Sequence, residues 1–129
     1  DVGVHTKTYS LLPHMGAFDA KNVIEPAYEL NYAPVVIDGA AEIAPLFTLS
    51  NPGVICEAVK CAEDVEGAYV LRLYEAERNH ANCTLALNGA KKAYLTNMLE
   101  EKEEELEIVD GKVSLKFTPF EIKTVLVER

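Results

Sequence analysis

The sequence predicts an all-β fold: an antiparallel β-sandwich with one short helical segment near residues 18–31. Three observations lead there. From Leu46 onward, apolar and polar residues alternate with a period of two in one short run after another. Turn residues such as Asn51-Pro52-Gly53, Glu66-Gly67 and Asp110-Gly111 separate these runs, and no helical pattern lies between them. Asp110-Gly111 is the strongest local signal, because both central residues of the favoured hairpin turn need positive φ.

In chain order, Val4 to Leu12 sets Thr6, Thr8 and Ser10 against His5, Lys7, Tyr9 and Leu11, which predicts a strand ended by Pro13. Asp19 can cap a helix start, and Val23, Ala27 and Leu30 share a helical face. Pro26 interrupts one continuous helix, so two short helical turns are expected, the second beginning at Pro26. Ala33 to Asp38 reads as a short strand, and Gly39 to Pro45 as a surface connection. Strands then follow at Leu46–Ser50, Val54–Lys60, Ala68–Ala76, Ala81–Leu87, Ala93–Leu99, Glu105–Val109, Lys112–Phe117 and Phe120–Val127. The Asp-Gly pair predicts a hairpin joining 105–109 to 112–117.

Composition narrows the function. The chain has 129 residues, 49% of them apolar and 26% charged, enough to bury a core without metals or disulfides. Its opening, Asp1-Val2-Gly3-Val4-His5, reads as an internal stretch, so an excised domain is expected. The net charge of −9 would repel a phosphate backbone, which argues against nucleic acid as a partner. No apolar run is long enough to span a membrane. The acidic run Glu100, Glu101, Glu103, Glu104 and Glu105 is expected as a solvated loop or turn edge. Three cysteines, Cys56, Cys61 and Cys83, make an odd count and read as free thiols in a reducing, cytoplasmic setting.

Motifs for chemistry are scarce. Of the three histidines, His5, His14 and His80, none sits in a nucleophile motif. His80, Cys83, Cys56 and Cys61 could be metal ligands, but their spacing matches no structural zinc pattern, and Cys56 and Cys61 are expected on opposite faces of one strand. No phosphate-binding glycine loop is present, and Asn82-Cys83-Thr84 matches the glycosylation tripeptide but is expected to be idle, as no signal-peptide pattern is read at Asp1-Val2-Gly3-Val4-His5. No catalytic, cofactor-binding or metal residue is therefore assigned. Arg72, mid-strand among apolar neighbours, is expected to be buried and salt-bridged to a neighbouring carboxylate such as Glu57 or Glu121, with Tyr74 alongside. The competing reading is an arginine that reaches a neighbouring domain.

Five segments together resemble the C-terminal region of family-38 glycoside hydrolases, the cytosolic-type and bacterial α-mannosidases. They are His5 to His14, Ala27-Tyr28-Glu29-Leu30-Asn31, Val59 to Asp64, Leu71-Arg72-Leu73-Tyr74-Glu75-Ala76 and Pro119 to Thr124. Met15-Gly16-Ala17-Phe18 departs from the family pattern at Ala17. The resemblance implies that residues 1–45 end a large β-supersandwich and that residues 46–129 form a small terminal β-sandwich. It implies a parent enzyme, homo-oligomeric, that removes terminal α-D-mannose with retention, using an aspartate nucleophile and zinc. Those groups lie in an α/β catalytic domain and helical bundle preceding this chain, so no cofactor is expected in the chain itself, and its partner is the remainder of its own polypeptide. The expected role is structural, at the cleft edge or in assembly. The alternative is an independent carbohydrate-binding β-sandwich module. That reading needs a row of exposed tyrosines on one sheet face, since there is no Trp.

Overall fold

The alternation in Tyr69–Glu75 becomes the middle of a sandwich because both of its faces find cover. The structure is a computed structural model describing residues 2–129. Asp1, the first residue of the expected 1–45 segment, lies outside them. Eight strands run β1 (Phe47–Leu49), β2 (Val54–Cys61), β3 (Tyr69–Glu75), β4 (Ala81–Leu87), β5 (Lys92–Thr96), β6 (Lys102–Leu106), β7 (Lys112–Phe117) and β8 (Ile122–Glu128). The smaller sheet has the order β1-β4-β7 and the larger β2-β3-β8-β5-β6, with every pairing antiparallel.

The core lies between the sheets. Leu71 and Leu73 of β3, Val125 and Val127 of β8, and Ala93 of β5 meet Cys83, Leu85 and Leu87 of β4 and Val113, Leu115 and Phe117 of β7. Each fully buried Leu or Val there contributes about 1.5–3 kcal/mol of transfer free energy. A second, smaller cluster covers the outer face of the larger sheet, where Ala62, Val65 and Ala68 fold over Val70, Leu126 and Tyr94. This explains why Val125-Leu126-Val127 is buried without alternation.

Before the sandwich, Asp19 accepts the Asn22 N–H and caps a π-helical turn, Ala20–Ile24. Helix α1, Glu25–Asn31, follows with Pro26 in its first turn, where the missing N–H costs nothing. The two helical turns expected around Pro26 are therefore present, running on as a single helical segment.

Several expectations are corrected. Residues 4–12 and 33–38 form no strand, and their side chains are exposed. Alternation specifies a strand only where a neighbouring strand accepts its hydrogen bonds, and the described residues offer none. The acidic run is not a loop throughout. Lys102 to Leu106 forms β6, an edge strand whose charges suit an unpaired edge. The strand expected at Glu105–Val109 begins three residues earlier, and β5 stops at Thr96 because Asn97 Oδ1 accepts the N–H groups of Leu99 and Glu101 and closes a turn. The Asp-Gly turn is present, with φ of 50° at Asp110 and 72° at Gly111, and Val109 and Lys112 exchange two 2.9 Å hydrogen bonds. It nevertheless joins strands of different sheets, so the pairing it begins ends after that single bridge.

Candidate functional site

Among the described residues polar side chains gather in two places. The first is the end of the sandwich where the chain crosses between sheets. Glu75 continues the inward set Tyr69, Leu71 and Leu73, and is 1% exposed. Its Oε1 accepts the Glu77 N–H at 2.8 Å and its Oε2 the Phe120 N–H at 2.9 Å. Burial alone would raise the acid's pKa, but N–H groups of Phe120, Asn79, Glu77 and Arg78 favour the anion and hold it below its ordinary value. One carboxylate thus clips both crossovers, β3 to β4 and β7 to β8, whose turns carry positive φ at Arg78 and Phe120. Glu77 next to it accepts the buried Ala20 N–H at 2.9 Å and ties the helical segment to the sandwich. Sequence reasoning missed Glu75, although extending the period of two by one step places it inward.

The second place is the outer face of the larger sheet. A bulge in β2 leaves Glu57 without a partner between Cys56, opposite Leu73, and Ala58, opposite Arg72. The extra residue resets the alternation. Cys56 and Cys61, opposite Leu73 and Tyr69, therefore share a face instead of lying on opposite ones. Glu57 accepts the hydroxyl of Tyr28 from α1, and that carboxylate holds the phenol above its ordinary pKa; the Tyr74 hydroxyl is 3.5 Å away. Across the same face Lys60 pairs with Glu100 at 2.5 Å, and the Glu100 side chain is only 7% exposed. The Lys60 ammonium, with the Glu63 N–H beside it, holds the Glu100 carboxyl below its ordinary value.

Arg72 lies between these groups without the expected partner. Glu57 is engaged by Tyr28, and Glu121 accepts from Lys123 and Thr118. Among the described residues Arg72 forms no ion pair, and its Nε is buried without a hydrogen-bond partner. The side chain is half-buried, not fully enclosed.

The candidate metal ligands are scattered. His5 and His14 lie in the exposed segment before the helical turn and His80 is exposed beside β4, while Cys83 is in the core. Cys56, Cys61 and Cys83 are free thiols. Among the described residues no three His, Cys, Asp or Glu side chains gather as a metal-ligand set. No helix is long and apolar enough to cross a membrane. Nor do tyrosines form an open row on the larger sheet. Lys102 sits 4.1 Å above the Tyr94 ring, Tyr74 meets Tyr28, and Tyr69 is buried.

Fold and side chains together define a class: a two-sheet antiparallel sandwich domain whose buried carboxylate closes its own turns. The chain belongs to glycosyl hydrolase family 38, as the C-terminal beta sandwich domain whose family model matches residues 53–125. Alpha-mannosidase 2C1 of Mus musculus and of Homo sapiens are 36% and 37% identical to it over 98% of its length. Alpha-mannosidase G of Dictyostelium discoideum is 30% identical over 96%. The chain spans only 13% of the mouse and human proteins.

Proposed function

We propose that this chain is a non-catalytic domain of an α-mannosidase that hydrolyses terminal α-D-mannose residues with retention, and that its role is structural, in assembly or at the cleft edge. The observation that carries the reading is the alignment of 98% of the chain with alpha-mannosidases of which it makes up 13%. The chemistry agrees with it. Retaining hydrolysis needs a nucleophile and an acid/base group converging on one anomeric carbon, whereas the buried acid here is committed to backbone N–H groups. Nucleophile and zinc belong to the remainder of the polypeptide in this reading.

Residues 1–45 are assigned to the end of the preceding large β domain and residues 46–129 to the sandwich. Supporting this division, the first strand begins at Phe47, and Val4, Leu11, Val35, Val36 and Ile43 are exposed in the earlier segment. Apolar side chains left this open suit coverage by further polypeptide. Free Cys56, Cys61 and Cys83 favour a reducing, cytoplasmic setting.

The test is a chromogenic α-mannoside assay with added zinc, run on the purified chain and on the full polypeptide that contains it. The chain should show no turnover above a heat-inactivated control, and the full polypeptide should be active. Turnover by the chain alone, or a polypeptide with no mannosidase activity, would overturn the reading.

A further inference from the structure

Arg72 is half-buried, and among the described residues its Nε is one of two buried side-chain polar atoms without a hydrogen-bond partner, the other being the Tyr69 hydroxyl. Arg72 stands mid-strand in β3 on the outer face of the larger sheet, opposite Ala58 of β2 and Thr124 of β8. A guanidinium cannot shed its proton to relieve an unfavourable site, so burial demands a partner. The nearby acids are bonded elsewhere: Glu57 to Tyr28, Glu100 to Lys60 and the Glu63 N–H, although its carboxylate also feels the Arg72 charge, and Glu121 to Lys123 and Thr118. The lysines that pair with acids on and beside this sheet are matched as well, Lys60 with Glu100, Lys102 with Glu128 and Lys123 with Glu121. Arg72 has a buried Nε and no acceptor.

The same face already receives polypeptide from outside the sandwich. Tyr74, two positions along β3, meets the Tyr28 hydroxyl of α1, which also binds Glu57. On the far side, Met98 of the 97–101 turn touches Thr124, which lies directly opposite Arg72. Met98, and Ile122 opposite Tyr74 on β8, are exposed apolar side chains. A half-buried arginine whose Nε has no hydrogen-bond partner, on a face that α1 has begun to cover, suits a further carboxylate.

Resting on the reading of the chain as one domain of a longer α-mannosidase, we propose that Arg72 anchors this face on the remainder of that polypeptide, pairing with an Asp or Glu side chain there. The occupant is the same polypeptide because α1 reaches this face from the sequence preceding the sandwich. In addition, the related alpha-mannosidases carry most of their length outside the region matched here.

The experiment uses the full polypeptide carrying Arg72→Lys, treated with a carbodiimide and mapped by peptide mass spectrometry. Carbodiimide joins an amine to a contacting carboxylate as an amide with loss of water, so the amine introduced at position 72 reports its neighbour. Lys60 with Glu100 serves as the internal control. The expected product links position 72 to an acidic residue outside these 129 residues. Coupling only to an acid within them, in the same or a second copy, overturns the anchor, as does no coupling at 72 when the control pair couples. A second variant, Arg72→Met, keeps an unbranched apolar stem and removes the charged guanidinium. Limited proteolysis should then release the sandwich at least about tenfold faster, with the far-ultraviolet circular dichroism unchanged; an unchanged rate overturns the proposal. Mannosidase activity of the same preparation is read separately. Its presence alongside internal coupling at 72 removes the anchor and leaves the domain assignment standing.

Discussion

Replacing Glu75 should loosen the end of the sandwich where both crossovers meet. The wild-type carboxylate accepts the Glu77 and Phe120 N–H groups at 2.8 and 2.9 Å and is 1% exposed. A hydrogen bond to a charged acceptor contributes about 1.5–3 kcal/mol, and a buried donor left without a partner costs a similar amount. Glu75→Ala strands both donors and opens a void, so a loss of about 3–5 kcal/mol is expected. Glu75→Gln keeps the volume and one oxygen but offers N–H where an acceptor is needed, so it should cost about 1.5–3 kcal/mol. The pH dependence has a definite sign. The folded pKa is depressed below the ordinary 4.5, so the unfolded chain binds the proton more readily. The contribution is fully present above the unfolded carboxylate range and is lost as pH falls through the depressed folded value. The assay is equilibrium urea unfolding followed by circular dichroism at neutral and acid pH. The difference between wild type and Glu75→Gln should shrink at the acid end. Equal midpoints at neutral pH would refute the clip.

Two other perturbations follow from the geometry. Gly111→Val places a β-branched residue at a φ of 72° with its Cβ 3.5 Å from the Leu87 carbonyl oxygen, and should cost about 1–3 kcal/mol, read as a lower Tm. Thiol titration should find three reactive groups in denatured chain under non-reducing conditions. In the native state exposed Cys61 should react first, Cys56 more slowly because burial raises its pKa, and core Cys83 last. A denatured count of one would show a bridge.

What the sequence determined by itself is what short-range geometry controls. Period-two runs locate β2, β3, β4 and β7 to within a residue or two, because alternation and a buried face are the same fact seen in one dimension and in three. Asp19 as cap, Pro26 at a helix start and Asp110-Gly111 as a turn depend on backbone sterics within four residues, and each is found as read. Inward Glu75 was legible in the same alternation, but its purpose was not, since its partner Phe120 lies 45 residues further along the chain. Only the tertiary structure decided the rest. A turn fixes that the chain reverses, not which sheet each arm joins, so 105–109 and 112–117 part company after one bridge. One bulge at Glu57 exchanges the faces of every later residue in β2, which brings Cys56 and Cys61 to one side and turns Glu57 toward α1. The segments 4–12 and 33–38 read as strands yet pair with none among the described residues, because a strand exists only with a neighbour. Arg72 reads as a salt bridge in sequence for the same reason that it lacks one in space: apolar flanks announce burial, while the position of a carboxylate depends on chain far away along the sequence.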